Sequence, residues 1–175
     1  MAIHFSIPSM LQESLIEMIL VAKYCVEYKK DQKKWGSPGC YGYPAAILLF
    51  SIADSIGSFV LGGNVENHFK ILNDPEYYDL GLDDKSIKMI YDNYWNPLHH
   101  NTVIPPGYFL DIGTPDSPVF IIKKRGPFRG PFLNLVPFFI VSVKAVQNFL
   151  NKAEKIVPNS KQLEDINKKS FKRIK

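Results

Sequence analysis

The chain has 175 residues, 46% hydrophobic and 22% charged, with a formal net charge of +4. That is the make-up of one globular domain with a single sizeable core, and it excludes a disordered or fibrous chain. From Asn151 onward eight Lys/Arg stand against three Asp/Glu, which leaves thirteen against fourteen before it; a near-neutral body with a basic tail excludes a general, charge-driven nucleic-acid binder.

Twelve Phe and nine Tyr predict a core rich in rings. Cys25 and Cys40 give neither a disulfide framework nor a zinc pattern, so a reducing cytoplasm is the expected location. The opening Met1-Ala2-Ile3-His4-Phe5 lacks the basic start and long apolar run of a secretory signal.

Ser9, with Gln12 three residues on, predicts the start of a first helix running to about Tyr28. Leu11, Leu15, Met18, Ile19, Ala22, Cys25 and Val26 recur on it at helical spacing. Asp31 to Cys40 reads as a loop. Pro44 suits the first turn of a second helix that Gly62-Gly63 ends, and the stretch from Ala45 to Leu61 is apolar almost all round. This predicts the most buried helix of the protein, too interrupted to be a membrane span. Asp54 is its one carboxylate. Such a group bridges neighbouring helices or faces a wet cleft near His99 and His100.

A short helical extension is predicted over Asn64 to Leu72, then a break at Asn73-Asp74-Pro75. Asp83 or Asp84 caps a third helix with Ile87, Ile90, Tyr91, Tyr94 and Leu98 on its inner stripe. Pro97 either kinks this helix or sits in a fresh turn capped by Asn96. After Pro105-Pro106-Gly107 the period changes. Tyr108 to Ile112 and Val119 to Lys123 read as a β-hairpin, near 108–124, around an irregular turn from Gly113 to Pro118. Lys123-Lys124-Arg125 and two Gly-Pro-Phe copies then form a basic, aromatic loop to Phe132. Pro137 opens a last helix, with Phe138, Val141, Ala145, Val146, Phe149 and Leu150 inside, that ends before Pro158. The expected fold is therefore mainly α: an antiparallel four-helix-type bundle with a small inserted hairpin, one domain over 1–157 and a basic tail over 158–175.

Chemistry concentrates in one stretch, Tyr91 to Thr102. His99 and His100 lie about 100° apart on a helix, too far round to share a metal, and His4 and His68 offer no partner spacing. No metal or cofactor is expected. Neither a serine elbow nor a phosphate-cradling glycine loop is present. Asn96 and His100 stand one turn apart, as do Trp95 and His99.

The run Tyr94-Trp95-Asn96-Pro97-Leu98-His99-His100-Asn101 resembles the signature of the HEPN superfamily of helical bundles. Its members commonly carry an Arg, a polar residue (often Asn), about three variable residues and a His. Asn96 and His100 match the polar residue and the histidine, Trp95 stands where the Arg belongs, and the likeness spans about Ser9 to Ile156. The resemblance implies a symmetric homodimer whose interface or cleft is lined by Trp95, Asn96, His99 and His100. Active members cleave RNA without metal, Arg stabilising charge on the scissile phosphate while His transfers a proton. Tryptophan stacks on a base but neutralises no phosphorane. A non-catalytic or weakly active relative binding RNA, a nucleotide or a protein is therefore expected, with Asp54, Arg125 and Arg129 as further binding residues. The rivals are a metal-independent endoribonuclease of prokaryotic defence or toxin type, using Asn96 and His100, and a purely structural interaction module. The loop from Lys123 to Phe132 either grips phosphates or covers the core as a solvated connector.

Overall fold

Ser6 starts the first helix three residues before the expected cap: its backbone is extended, its Oγ accepts from the Ser9 N–H, and Pro8 fits the first turn. The structure, a computed structural model, describes residues 6–36 and 38–164. Helix α1 (Ile7–Glu27) buries Leu15, Ala22, Cys25 and Val26 as one stripe. The expected loop after it contains a single turn, α2 (Gln32–Trp35), capped by Asp31 and closed by Gly36 in the left-handed region.

The second long helix, α3 (Gly42–Val60), is the buried centre. By length and composition it could cross a membrane, yet ten of its nineteen residues are buried within this fold. Phe50 is its hub, with ring centroids of Phe138, Phe69, Tyr94 and Trp95 at 5.1 to 6.4 Å. Gly62 and Gly63, both at positive φ, reverse the chain. Asn64 then caps α4 (Val65–His68), and a 3₁₀ turn, Phe69–Asn73, continues it. The returning α4 crosses α3 at Gly57, where a Cβ would stand 2.2 Å from the His68 carbonyl oxygen.

Asp83 caps the third predicted helix, which is continuous in three parts: α5 (Asp84–Ile90), a π turn (Tyr91–Trp95) and α6 (Asn96–Asn101). Pro97 does lie in the first turn of a new helical segment, α6, but the expected cap by Asn96 is corrected. Asn96 is helical, makes no side-chain cap, and its N–H bonds to the carbonyl of Tyr91, five residues back. The widened turn absorbs the missing proline donor and ring without a break. It also lets the sequence neighbours Tyr94 and Trp95 both turn into the core.

The hairpin is corrected too. The sheet has the order β1-β3-β2. Strand β1 (Phe109–Asp111) pairs parallel with β3 (Phe128–Asn134), and β2 (Phe120–Arg125) pairs antiparallel with β3. The two runs expected to pair with each other thus flank a strand that the sequence reading took for a loop. Gly130 and Pro131 obscured it. Gly130 is needed because a Cβ there would stand 2.3 Å from the Gly107 carbonyl oxygen. Pro131 lies just before the β1 ladder, which begins at Phe132, so its missing N–H costs no bond on that side. Its carbonyl accepts from the Tyr94 hydroxyl at 2.8 Å, tying sheet to helix. Helix α7 (Leu135–Leu150) follows β3 directly, two residues before Pro137. After α8 (Ala153–Ile156) and a 3₁₀ turn (Val157–Asn159), the expected tail opens as packed structure. Ser160 is buried and caps the turn that follows it; 165–175 lie outside the described residues. The protein is mainly helical with a small three-stranded sheet, and α1, α3 and α7 pack on one another.

Tyr77 is buried, and its phenol is pushed up to about 12 by burial first and then by the Glu76 and Asp74 carboxylates. A raised folded value means the folded state holds the proton more tightly than the unfolded chain, whose tyrosines titrate at about 10. Stability is therefore complete below pH about 10 and falls as the pH rises through about 12. The urea midpoint is expected to drop between pH 9 and pH 11.5, and Tyr77→Phe to lessen that drop. An equal drop in both proteins would remove Tyr77 as a cause.

Candidate functional site

About one turn of α3 carries Ser51, Asp54 and Ser55 to the same place as the π turn and α6. With Val65 and Tyr91 they line an open cleft of about 340 Å³ whose other wall is Trp95, Asn96, His99 and His100. Four of the cleft's five expected site residues, Trp95, Asn96, His99 and His100, lie on α6 or its entry, and the fifth, Asp54, faces them across the cleft. Asn96, His99 and His100 are exposed. The rings of His99 and His100 meet edge-on at 5.1 Å. Among the described residues no group of His, Cys, Asp and Glu is placed to hold a metal.

Trp95 plays a different part from the one expected. Only 6% of it is exposed, and His99 covers it at 4.5 Å while Phe69 and Phe50 pack behind. The indole therefore has no open face for a base; it backs the imidazole of His99, which does. Arg125 and Arg129 do not reach the cleft. They sit at the tip of the β2–β3 hairpin, where Arg125 pairs with Asp111 and Arg129 stands opposite Lys124. Among the described residues no lysine or arginine lines the cleft.

Sequence reasoning missed His68. Asp54 accepts a hydrogen bond from His68 Nδ1 at 2.7 Å, so the carboxylate both bridges helices and faces the cleft. An ionised carboxylate can only accept, which places the proton on Nδ1. His68 Nε2 is sealed from solvent and has no partner. Asp54 also borders a second, more apolar cavity of about 890 Å³ between α1, α3 and α4, lined by Ile7, Met10, Leu11, Phe59 and His68 among others. The pair is fourteen residues apart, so no helical spacing announces it. The available signal was Gly57, a residue without a side chain one turn after the acid, which lets another backbone come close. His4 lies outside the described residues.

No family model, curated protein or solved structure matches the chain.

Proposed function

We propose that the protein is a HEPN-like helical bundle, cytoplasmic and homodimeric, that binds RNA or a nucleotide through a base without cleaving the chain. The observation that carries this reading is the cleft that joins Asp54, Asn96, His99 and His100 without a cation. Its volume of about 340 Å³ suits a single ring system. A carboxylate and an amide supply the acceptor and donor that read a base edge, and the outer side of His99 supplies a surface to stack on. A scissile phosphate would face Asp54 with no positive partner, which disfavours the endoribonuclease reading. The dimer is supported by α1, which leaves Ile16, Leu20 and Tyr24 exposed at four-residue spacing.

Fluorescence in a Trp35→Phe background, where Trp95 is the remaining indole, tests the base. Guanosine and its 5′-monophosphate should perturb the emission with affinities within about threefold of each other, because no cation rewards the phosphate. Asn96→Ala and Asp54→Asn should each weaken binding about tenfold, equivalent to about 1.4 kcal/mol. Silence at millimolar nucleoside would end the proposal. RNA cleavage in EDTA that His100→Ala abolishes would replace it with the enzyme. Light scattering should give twice the 20.0 kDa of one chain, reverting to one chain in Leu20→Asp.

A further inference from the structure

The body's near-zero charge hides a strong segregation. Of the thirteen Lys/Arg before Asn151, eight fall in the two stretches 29–34 and 123–129, where Asp31 is the only acid; the other five face thirteen Asp/Glu. These stretches are far apart in sequence, and the fold joins them. Lys30 lines a depression of about 430 Å³ together with Tyr43 and Asp111. The Asp111 carboxylate in turn holds Lys123 and Arg125. One face thus runs from α2, across this depression, to the tip of the β2–β3 hairpin.

Rings are interleaved with these charges. Tyr28 and Tyr41 stack at 4.5 Å and 9°, Trp35 meets Tyr41 edge-on at 5.9 Å, and Lys30 Nζ lies 5.7 Å over the Tyr41 ring. At the other end Phe128 packs on Phe109, and Lys123 Nζ lies 5.1 Å over Phe132. Trp35, Tyr43 and Phe128 are each about half exposed, at 47 to 54%. Lys33, Lys34, Lys124 and Arg129 are exposed, and among these four no ion pair is found.

We propose that this face, from Trp35 and the α2 lysines to the hairpin tip, binds single-stranded RNA, its phosphates on the cations and its bases on the exposed rings. Flexible cations beside ring faces suit a chain whose bases are unpaired and whose backbone is a line of negative charge. An anionic bilayer is the poorer occupant. Its insertion needs a continuous apolar face, whereas here lysines separate the rings. The inference stands apart from the base cleft, whose walls Ser51 to Ser55 lie about 14–20 Å along α3 from Gly42. The two surfaces are therefore tested by different substitutions.

The experiment is anisotropy of a labelled uridine 20-mer with the full chain at 50 to 200 mM salt. Affinity is expected to fall with salt, with a slope of about 0.7 per cation engaged. Lys33→Glu with Lys34→Glu, and separately Lys124→Glu with Arg129→Glu, should each weaken binding at least tenfold and flatten the slope. Trp35→Ala should weaken it about tenfold. All are exposed side chains, and an unchanged circular dichroism spectrum and melting temperature will show the variants folded. Absence of binding at 50 mM salt overturns the proposal. So does undiminished affinity after both charge reversals, which would place the strand on the basic C-terminal stretch, and so does preferential binding to phosphatidylserine vesicles.

Discussion

Phe50→Ala is expected to cost about 3–5 kcal/mol and, for a domain of this size, to lower the melting temperature by about 6–20 °C. The side chain is fully buried and is where four rings from three other segments meet: Phe69 after α4, Tyr94 and Trp95 in the π turn, and Phe138 in α7. Removing it leaves a void no neighbour can fill without leaving its own rotamer, because each of these rings is itself held by others. The effect should reach the cleft, since Trp95 backs His99 and would lose its own backing. Urea or thermal unfolding measures the stability loss. Ile122→Ala, on a residue 59% exposed, should stay within about 0.5 kcal/mol. A Phe50→Ala protein as stable as that control would show that the ring cluster is not what binds the helices to one another.

Gly57→Ala reverses the usual sign of its substitution. In an open helix interior alanine is favoured over glycine by about 1 kcal/mol. Here the added Cβ would sit 2.2 Å from the His68 carbonyl oxygen and 2.8 Å from two more backbone atoms of that residue. Backbone cannot swing aside as the end of a side chain can, so α4 must move off α3. A loss of about 3 kcal/mol is expected, and with it the hydrogen bond between His68 Nδ1 and Asp54. Imidazole proton spectra read that bond directly, and chemical denaturation reads the cost. Gly126→Ala is the contrast: φ is +58° but nothing lies within 4 Å, so only backbone strain of about 1–2 kcal/mol applies. If Gly57→Ala is as mild as Gly126→Ala, the close crossing does not hold His68 in place.

Much of the helical frame was legible because it is written locally. The apolar stripe of α1, the near-continuous apolar run of α3 and the glycine pair that ends it are decided by residues three or four apart, and the structure places them where periodicity does. Caps were less legible. Ser6 and Ser9 are both good capping residues, and Pro8 between them decides for Ser6 because proline suits the first turn. The π turn was invisible, since a helix widened by one residue leaves no mark on a 3.6-residue pattern beyond a proline that fails to break it.

The sheet shows why the rest needed three dimensions. Strand β3 contains Gly130-Pro131 and follows Gly126-Pro127, a composition that argues for a loop, and it is a strand because Gly130 lets Gly107 approach and Pro131 sits just outside the β1 ladder. Those facts belong to partners twenty residues away. In the cleft, the amide and imidazoles of α6 were readable from one-turn spacing. The burial of Trp95, the meeting of Asp54 with His68 and the distance of Arg125 and Arg129 from the cleft were not.

By itself, then, the order of residues determined a mainly helical chain, its most buried helix and the stretch that presents Asn96, His99 and His100 together, because each follows from neighbours within one or two turns. Tertiary structure alone decided that Asp54 takes His68 as its partner, which cations gather into one face and which strand lies in the middle of the sheet. Those outcomes depend on contacts between residues far apart in the chain, where packing and charge act through space and leave no period to read.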